Sequence, residues 1–80
     1  MFDPQVMKAL IDIAIFLEFS DDRIIDPDAA VSALEDLAAN LQMATPETRA
    51  ELTQGIRSLL GSYPDRVEFV SDLPESLGIA

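Results

Sequence analysis

The sequence predicts an all-α fold, a small bundle of three main helices followed by a short C-terminal helix and tail. Three pairs of a capping residue and proline mark helix starts, because these side chains cap a helix and proline suits its first turn. No segment alternates apolar and polar residues as a half-buried strand does. With 80 residues, the chain is expected to form a single domain over residues 1–80. The three pairs are Asp3-Pro4, Asp26-Pro27 and Thr45-Pro46.

Glycine, proline and the loss of apolar periodicity predict where the helices end. Gly61 is expected to end the third helix, and Tyr63-Pro64-Asp65 to open the fourth. Pro74 and Gly78 are expected to break the tail. The predicted helices cover about residues 4–19, 27–43, 46–60 and 65–71.

The second and third helices each show one apolar face and one polar face, which predicts helices packed on a core from one side. On the third helix, the polar residues Arg49, Thr53, Gln54 and Arg57 are expected to be exposed. The predicted core faces are Ala30, Val31, Ala33, Leu34, Leu37, Ala38 and Leu41 on the second helix, and Leu52, Ile56, Leu59 and Leu60 on the third.

The first helix carries two apolar stripes on nearly opposite sides. The stripe of Val6, Leu10, Ile13 and Leu17 has the spacing expected of a core-facing side. The other stripe is covered either by the remaining helices and the apolar tail, or by another chain in a partner or homodimer interface. It consists of Met7, Ile11, Ile15 and Phe19.

The charge is strongly acidic, with 15 acidic and 5 basic residues, no histidine and a net charge of -10. Such a surface repels phosphate backbones and favours a basic protein partner over nucleic acid. Acidic residues concentrate around the end of the first helix and the start of the second, either as a solvated surface or as a docking surface. The candidate partner-binding acids are Glu18, Asp21, Asp22, Asp28 and Glu35, with Asp36 at the margin.

Several other functions are excluded by composition. The chain has no cysteine or histidine, and the acidic cluster lacks the glycine of a calcium-binding loop, so neither a metal site nor a cofactor is expected. No serine has a histidine to activate it, and no phosphate-binding loop is present, so we expect no enzyme activity. The apolar run of residues 9–17 contains Asp12 and is too short to span a membrane. We therefore expect a cytoplasmic protein without a membrane partner.

A short, strongly acidic, cysteine-free helical chain with an additional apolar stripe resembles the small immunity proteins that bacteria make against antibacterial toxins, including toxins delivered by type VI secretion. The resemblance covers the whole chain as a type and involves no motif. It implies stoichiometric inhibition, in which the candidate acids meet a basic surface on the cognate toxin and Ile15 and Phe19 supply the desolvated centre. The alternatives are a dimeric secretion chaperone or adaptor, and a homodimeric structural or regulatory protein.

Overall fold

The computed structural model describes residues 3–80, and its regular elements over that range are all helical. The predicted all-α class, with three main helices and a C-terminal helix, is confirmed. Two short 3-10 turns, Leu60–Ser62 and Pro64–Arg66, connect the third helix to the fourth. The helices are α1 (Pro4–Phe19), α2 (Pro27–Gln42), α3 (Pro46–Ser58) and α4 (Val67–Ser76).

The three predicted helix starts are confirmed by hydrogen bonds at the caps. The Asp3 carboxylate accepts from the Gln5 N–H at 2.8 Å, and the Asp26 carboxylate accepts from the Ala29 N–H at 3.0 Å. The Thr45 hydroxyl oxygen accepts from the Thr48 N–H at 3.2 Å. Each bond satisfies a backbone donor that the first helical turn leaves without a partner.

Two predicted helix ends are wrong. The third helix ends at Ser58, and Gly61 lies within a 3-10 turn without a positive φ. The fourth helix continues past the predicted end at residue 71, through Pro74 to Ser76. Pro74 costs a backbone hydrogen bond, but it is fully buried beside Leu73, and this burial offsets the loss. Gly78, with φ +73°, follows the C-terminal end of this helix.

The core lies between α1, α3 and α4. The fully buried apolar cluster draws on these three helices and on the tail after α4, and α2 contributes nothing to it. Val70 and Leu73 of α4 and Leu77 and Ile79 after it are buried in this cluster, whereas Val67 is exposed. The cluster consists of Met7, Ile11, Ala14, Leu52, Ile56, Val70, Leu73, Leu77 and Ile79.

The two stripes of α1 have the opposite orientation to the expected one. Met7 and Ile11 are buried, at 2% and 0% exposure, whereas Val6 and Ile13 are 54% and 55% exposed. The close approach of α3 at Gly55 explains this choice, because a Cβ atom there would lie 2.6 Å from the Met7 sulfur. The expectation that Val6 and Ile13 anchor the bundle is therefore wrong.

The second helix lies against the outside of this core. Leu34, Leu37 and Leu41 are partly buried against the cluster, as the apolar pattern predicts. Val31 was expected in the core and is 54% exposed, because the helix is covered on one side only. On α3, Thr53 was expected in solvent and is buried, because the tail folds over it and its hydroxyl donates to the Ile79 carbonyl at 3.4 Å.

Candidate protein-docking surface

The predicted acidic residues lie between the last turn of α1 and the middle of α2. Glu18 is in the last turn of α1, Asp21 and Asp22 lie in the connection that follows, and Asp28 is in the first turn of α2. Glu35 lies two turns further along α2. All of these side chains are exposed, as is the neighbouring Asp36. We call Glu18, Asp21, Asp22, Asp28 and Glu35 the acidic patch.

Most of the acidic patch has no basic partner within the described part of the chain. Arg23 pairs with Asp21 at 3.0 Å, and its backbone N–H also donates to that carboxylate at 2.9 Å. These hydrogen bonds lower the pKa of Asp21 below its ordinary value. Within residues 3–80, the other ion pairs are Lys8–Asp12 and Arg57–Glu75, which leaves the remaining four patch carboxylates without one.

The remaining arginines, Arg66 and Arg49, form no ion pair with a patch carboxylate within residues 3–80. The Arg66 guanidinium lies 3.9 Å from the centre of the Phe19 ring in a cation–π contact. Arg49 is partly buried on α3. The patch therefore presents a concentrated negative field, which attracts a basic surface and speeds the encounter with it.

An apolar groove adjoins the patch between α2 and α4. It has a volume of about 420 Å³. Its rim carries Glu18 from α1, Glu35 from α2 and Asp72 from α4, and the residues lining it include no lysine or arginine. We call this feature the α2–α4 groove. The apolar residues that line it are Val31, Leu34, Ala38, Phe69, Leu73 and Leu77.

Contacts at both ends of the α2–α4 groove hold its walls. At one end the Phe69 ring packs edge to face against Phe19, with the ring centres 5.1 Å apart. At the other end the Gln42 side chain donates to the Leu77 carbonyl at 2.9 Å. The groove is therefore built from side chains that the fold already positions.

The structure brings only part of the predicted acidic set to this groove. Glu18 and Glu35 line it, whereas Asp21, Asp22 and Asp28 belong to the adjoining surface. Asp36 is turned about 100° from Glu35 around α2 and does not line the groove. Asp72 was not among the predicted acids, because only the position of α4 beside α2 brings it to the groove.

The predicted apolar interface of α1 needs correction. Met7 and Ile11 are buried in the core, so they are not available to a partner, and Ile15 is partly buried against the same cluster. Phe19 is partly exposed, but its ring contacts Phe69 and Arg66 of the same chain. The apolar face that α1 presents outward carries Val6, Ile13 and Phe16.

A separate polar contact joins α1 to the turn before α4. The Tyr63 hydroxyl donates to the Asp12 carboxylate at 2.7 Å, and Lys8 pairs with the other carboxylate oxygen at 3.2 Å. The Tyr63 hydrogen bond, with a further contribution from Lys8, lowers the pKa of Asp12. Burial and the neighbouring carboxylate raise the pKa of Tyr63 to about 12. This arrangement fixes a loop and leaves both groups in their ordinary protonation states at neutral pH.

Residues 3–80 contain neither a metal-binding cluster nor a helix that could cross a membrane. Over this range, no three acidic side chains come close enough together to hold a metal ion. None of the helices described has both the length and the apolar character needed to cross a membrane. The chain matches no protein-family model, no curated protein and no solved structure.

Proposed function

We propose that this chain is an immunity-type protein, which binds a basic cognate toxin through the acidic patch and its adjoining apolar surface and so neutralises it. The partner is a protein rather than a nucleic acid, because the exposed carboxylates repel phosphates. Binding blocks the toxin by occupying a basic surface that the toxin needs for its own activity. The protein is proposed to act in the cytoplasm, without a cofactor or catalysis of its own.

The observation that carries this proposal is the set of exposed carboxylates without basic partners beside an exposed apolar side chain. Glu18, Asp22 and Glu35 have no ion pair within residues 3–80, and Val31 lies on the same face of α2 as Glu35. Protein interfaces commonly combine a desolvated apolar centre with a charged rim. The charges are expected to speed association, so added salt should slow association more than it speeds dissociation.

Co-expression with the product of the adjacent gene tests this function, because an immunity gene normally lies beside the gene for its toxin. The neighbouring product expressed alone should stop growth, and co-expression of this chain should restore it. The double variant Glu18→Gln, Asp22→Asn should weaken the restoration, because it removes two carboxylates from the patch. A neighbour that is harmless alone, or unaffected by this chain, would contradict the proposal.

A matched control separates the position of the charges from the net charge of the protein. The variant Ala50→Lys, Gln54→Lys makes the same change in net charge on an exposed face of α3. These residues line a different hollow, which also contains Arg49 and Arg57. We expect this control to restore growth as the unmodified chain does. Equal loss in both double variants would show that net charge, and not the acidic patch, determines binding.

A second candidate function is self-association or client binding through the outward face of α1, as in a homodimeric regulator or a dimeric secretion chaperone. Val6, Ile13 and Phe16 support this candidate, because together they expose apolar surface on one helix. Analytical ultracentrifugation tests self-association directly. A dimer that Ile13→Asp converts to a monomer would support this candidate, and a monomeric protein at all concentrations would contradict the homodimer.

A further inference from the structure

We propose that the α2–α4 groove binds one face of a cationic amphipathic helix of the partner. This inference rests on the proposed function, and it assigns the place and the chemistry of the contact. Apolar side chains of the partner helix would lie on the groove floor, and its lysine or arginine side chains would pair with the carboxylates of the rim.

The shape and lining of the groove favour a helix. The two walls are themselves helices, and side chains from both are partly exposed between them, including Val31 and Phe69. A helix presents apolar side chains along one stripe, and seating that stripe in a groove between two helices is a common mode of peptide recognition. The α4 wall is 10 residues long, about 15 Å, which matches roughly three turns of a bound helix.

The negative charges on the rim favour a positively charged occupant. Glu18, Glu35 and Asp72 come from three different helices and converge on this one groove. A hollow on another side of the molecule, beside α3 and the tail, carries Arg49 and Arg57 instead. A cationic helix therefore meets carboxylate side chains at the α2–α4 groove, whereas the residues that line that hollow include no aspartate or glutamate.

The apolar floor distinguishes this site from a purely electrostatic one. Val31 is 54% exposed and lines the groove together with Glu18 and Glu35. A purely basic, flexible segment would leave Val31, Leu34 and Phe69 uncovered. An amphipathic helix covers them while its basic residues reach the rim, so both parts of the lining gain a partner.

A synthetic peptide tests this inference without the toxin. The probe is a leucine–lysine peptide of about 14 residues, or roughly four turns, with all leucines on one helical face. The control peptide has the same composition in an order that forms no apolar face. Fluorescence anisotropy measures the affinity of each labelled peptide for the full chain. The probe should bind, and the control peptide should bind at least about tenfold more weakly because it buries less apolar surface.

Adjacent charge reversals on α2 provide a matched pair of variants. Glu35→Lys places a positive charge on the groove rim and should weaken probe binding by about fivefold or more. Asp36→Lys makes the same change at the next residue, outside the groove, and should weaken binding by less than about twofold, since salt screens the longer distance. Val31→Ser should weaken binding by about fivefold by removing apolar contact.

Several outcomes would overturn the inference. They are equal weakening by Glu35→Lys and Asp36→Lys, equal affinity for the two peptides, and amide NMR shifts at the Val6 and Ile13 face instead of at the groove. These failures are distinguishable from failure of the proposed function, because growth restoration is measured with the toxin and no peptide. If the chain restores growth but does not bind the peptide, the groove is not the binding site, although the toxin remains the partner.

Discussion

The helices α2 and α3 both follow a capped Pro start and carry one apolar face, yet they have different places in the molecule. Ile56 and Leu52 of α3 belong to the buried cluster, whereas the leucines of α2 are only partly buried against it. The fold is therefore specified mainly by α1, α3 and α4. The face of α2 beside α4 remains open, and the acidic and apolar features of the candidate site lie there. The buried core and the proposed recognition surface are therefore divided between the two helices.

The largest expected effect comes from truncating a buried side chain of α3, and comparison with α2 tests whether the core depends mainly on α3. Ile56→Ala on α3 should reduce the free energy of unfolding by about 2–5 kcal/mol, because the side chain is fully buried. Leu37→Ala on α2 should reduce it by only about 1–2 kcal/mol, because the side chain is already partly in solvent. Urea denaturation measures both values. Equal losses would mean that α2 is as much a part of the core as α3.

The next effect concerns the attachment of α2 to the tail. Gly78→Ala should cost about 1–2 kcal/mol, because alanine is strained in the left-handed conformation. A Cβ atom at this position would also lie 2.5 Å from the Gln42 side-chain nitrogen and disturb its hydrogen bond to Leu77. Gly61→Ala is the control, since a Cβ atom there meets nothing within 4 Å. Denaturation should show no loss for it, and a loss as large as that of Gly78→Ala would contradict the account.

A smaller effect is expected on the side of the molecule away from the groove. Tyr63→Phe removes the donor to Asp12 and should reduce the free energy of unfolding by about 0.5–1 kcal/mol. Because the folded state lowers the pKa of Asp12, this stabilisation is present above the ordinary carboxyl pKa. It is lost as the pH falls through the lowered value. Denaturation at about pH 7 and about pH 2 should therefore show a smaller difference between the two proteins at the acidic pH. A difference independent of pH would contradict the assignment.

The smallest effect separates the two faces of α1. Ile13→Ser should change the free energy of unfolding by less than about 0.5 kcal/mol, because this side chain is mainly in solvent. Ile11→Ser, two residues earlier on the buried face, provides the contrast and should destabilise the protein strongly. Thermal unfolding of the pair measures the difference. A large loss of stability from Ile13→Ser would indicate that Ile13 faces the core, as the sequence alone suggested.

Local signals predicted the helix starts well, because each one depends on a cap and a proline next to each other in sequence. The orientation of α1 was not predictable in this way, since both of its stripes are apolar. The burial of Met7 depends on the approach of Gly55 from another helix. The same reason applies to the end of α4, where tertiary burial of Pro74 overrides its tendency to break a helix.

The candidate site was predictable in part. The concentration of carboxylates around the start of α2 is visible in the sequence, and it identified Glu18 and Glu35. The groove itself was not visible, because it forms where α4 lies beside α2, and Asp72 enters the rim only through that packing. Exposure of Val31 has the same origin, since an apolar periodic position is exposed only where no neighbouring helix covers it.

The most direct test of the central claim is amide NMR of the labelled chain, titrated with the product of the adjacent gene. We expect shift changes concentrated at Glu18, Asp22, Val31 and Glu35, with the resonances of the outward face of α1 unchanged. Changes concentrated at Val6, Ile13 and Phe16 would contradict it and place the partner on α1 instead.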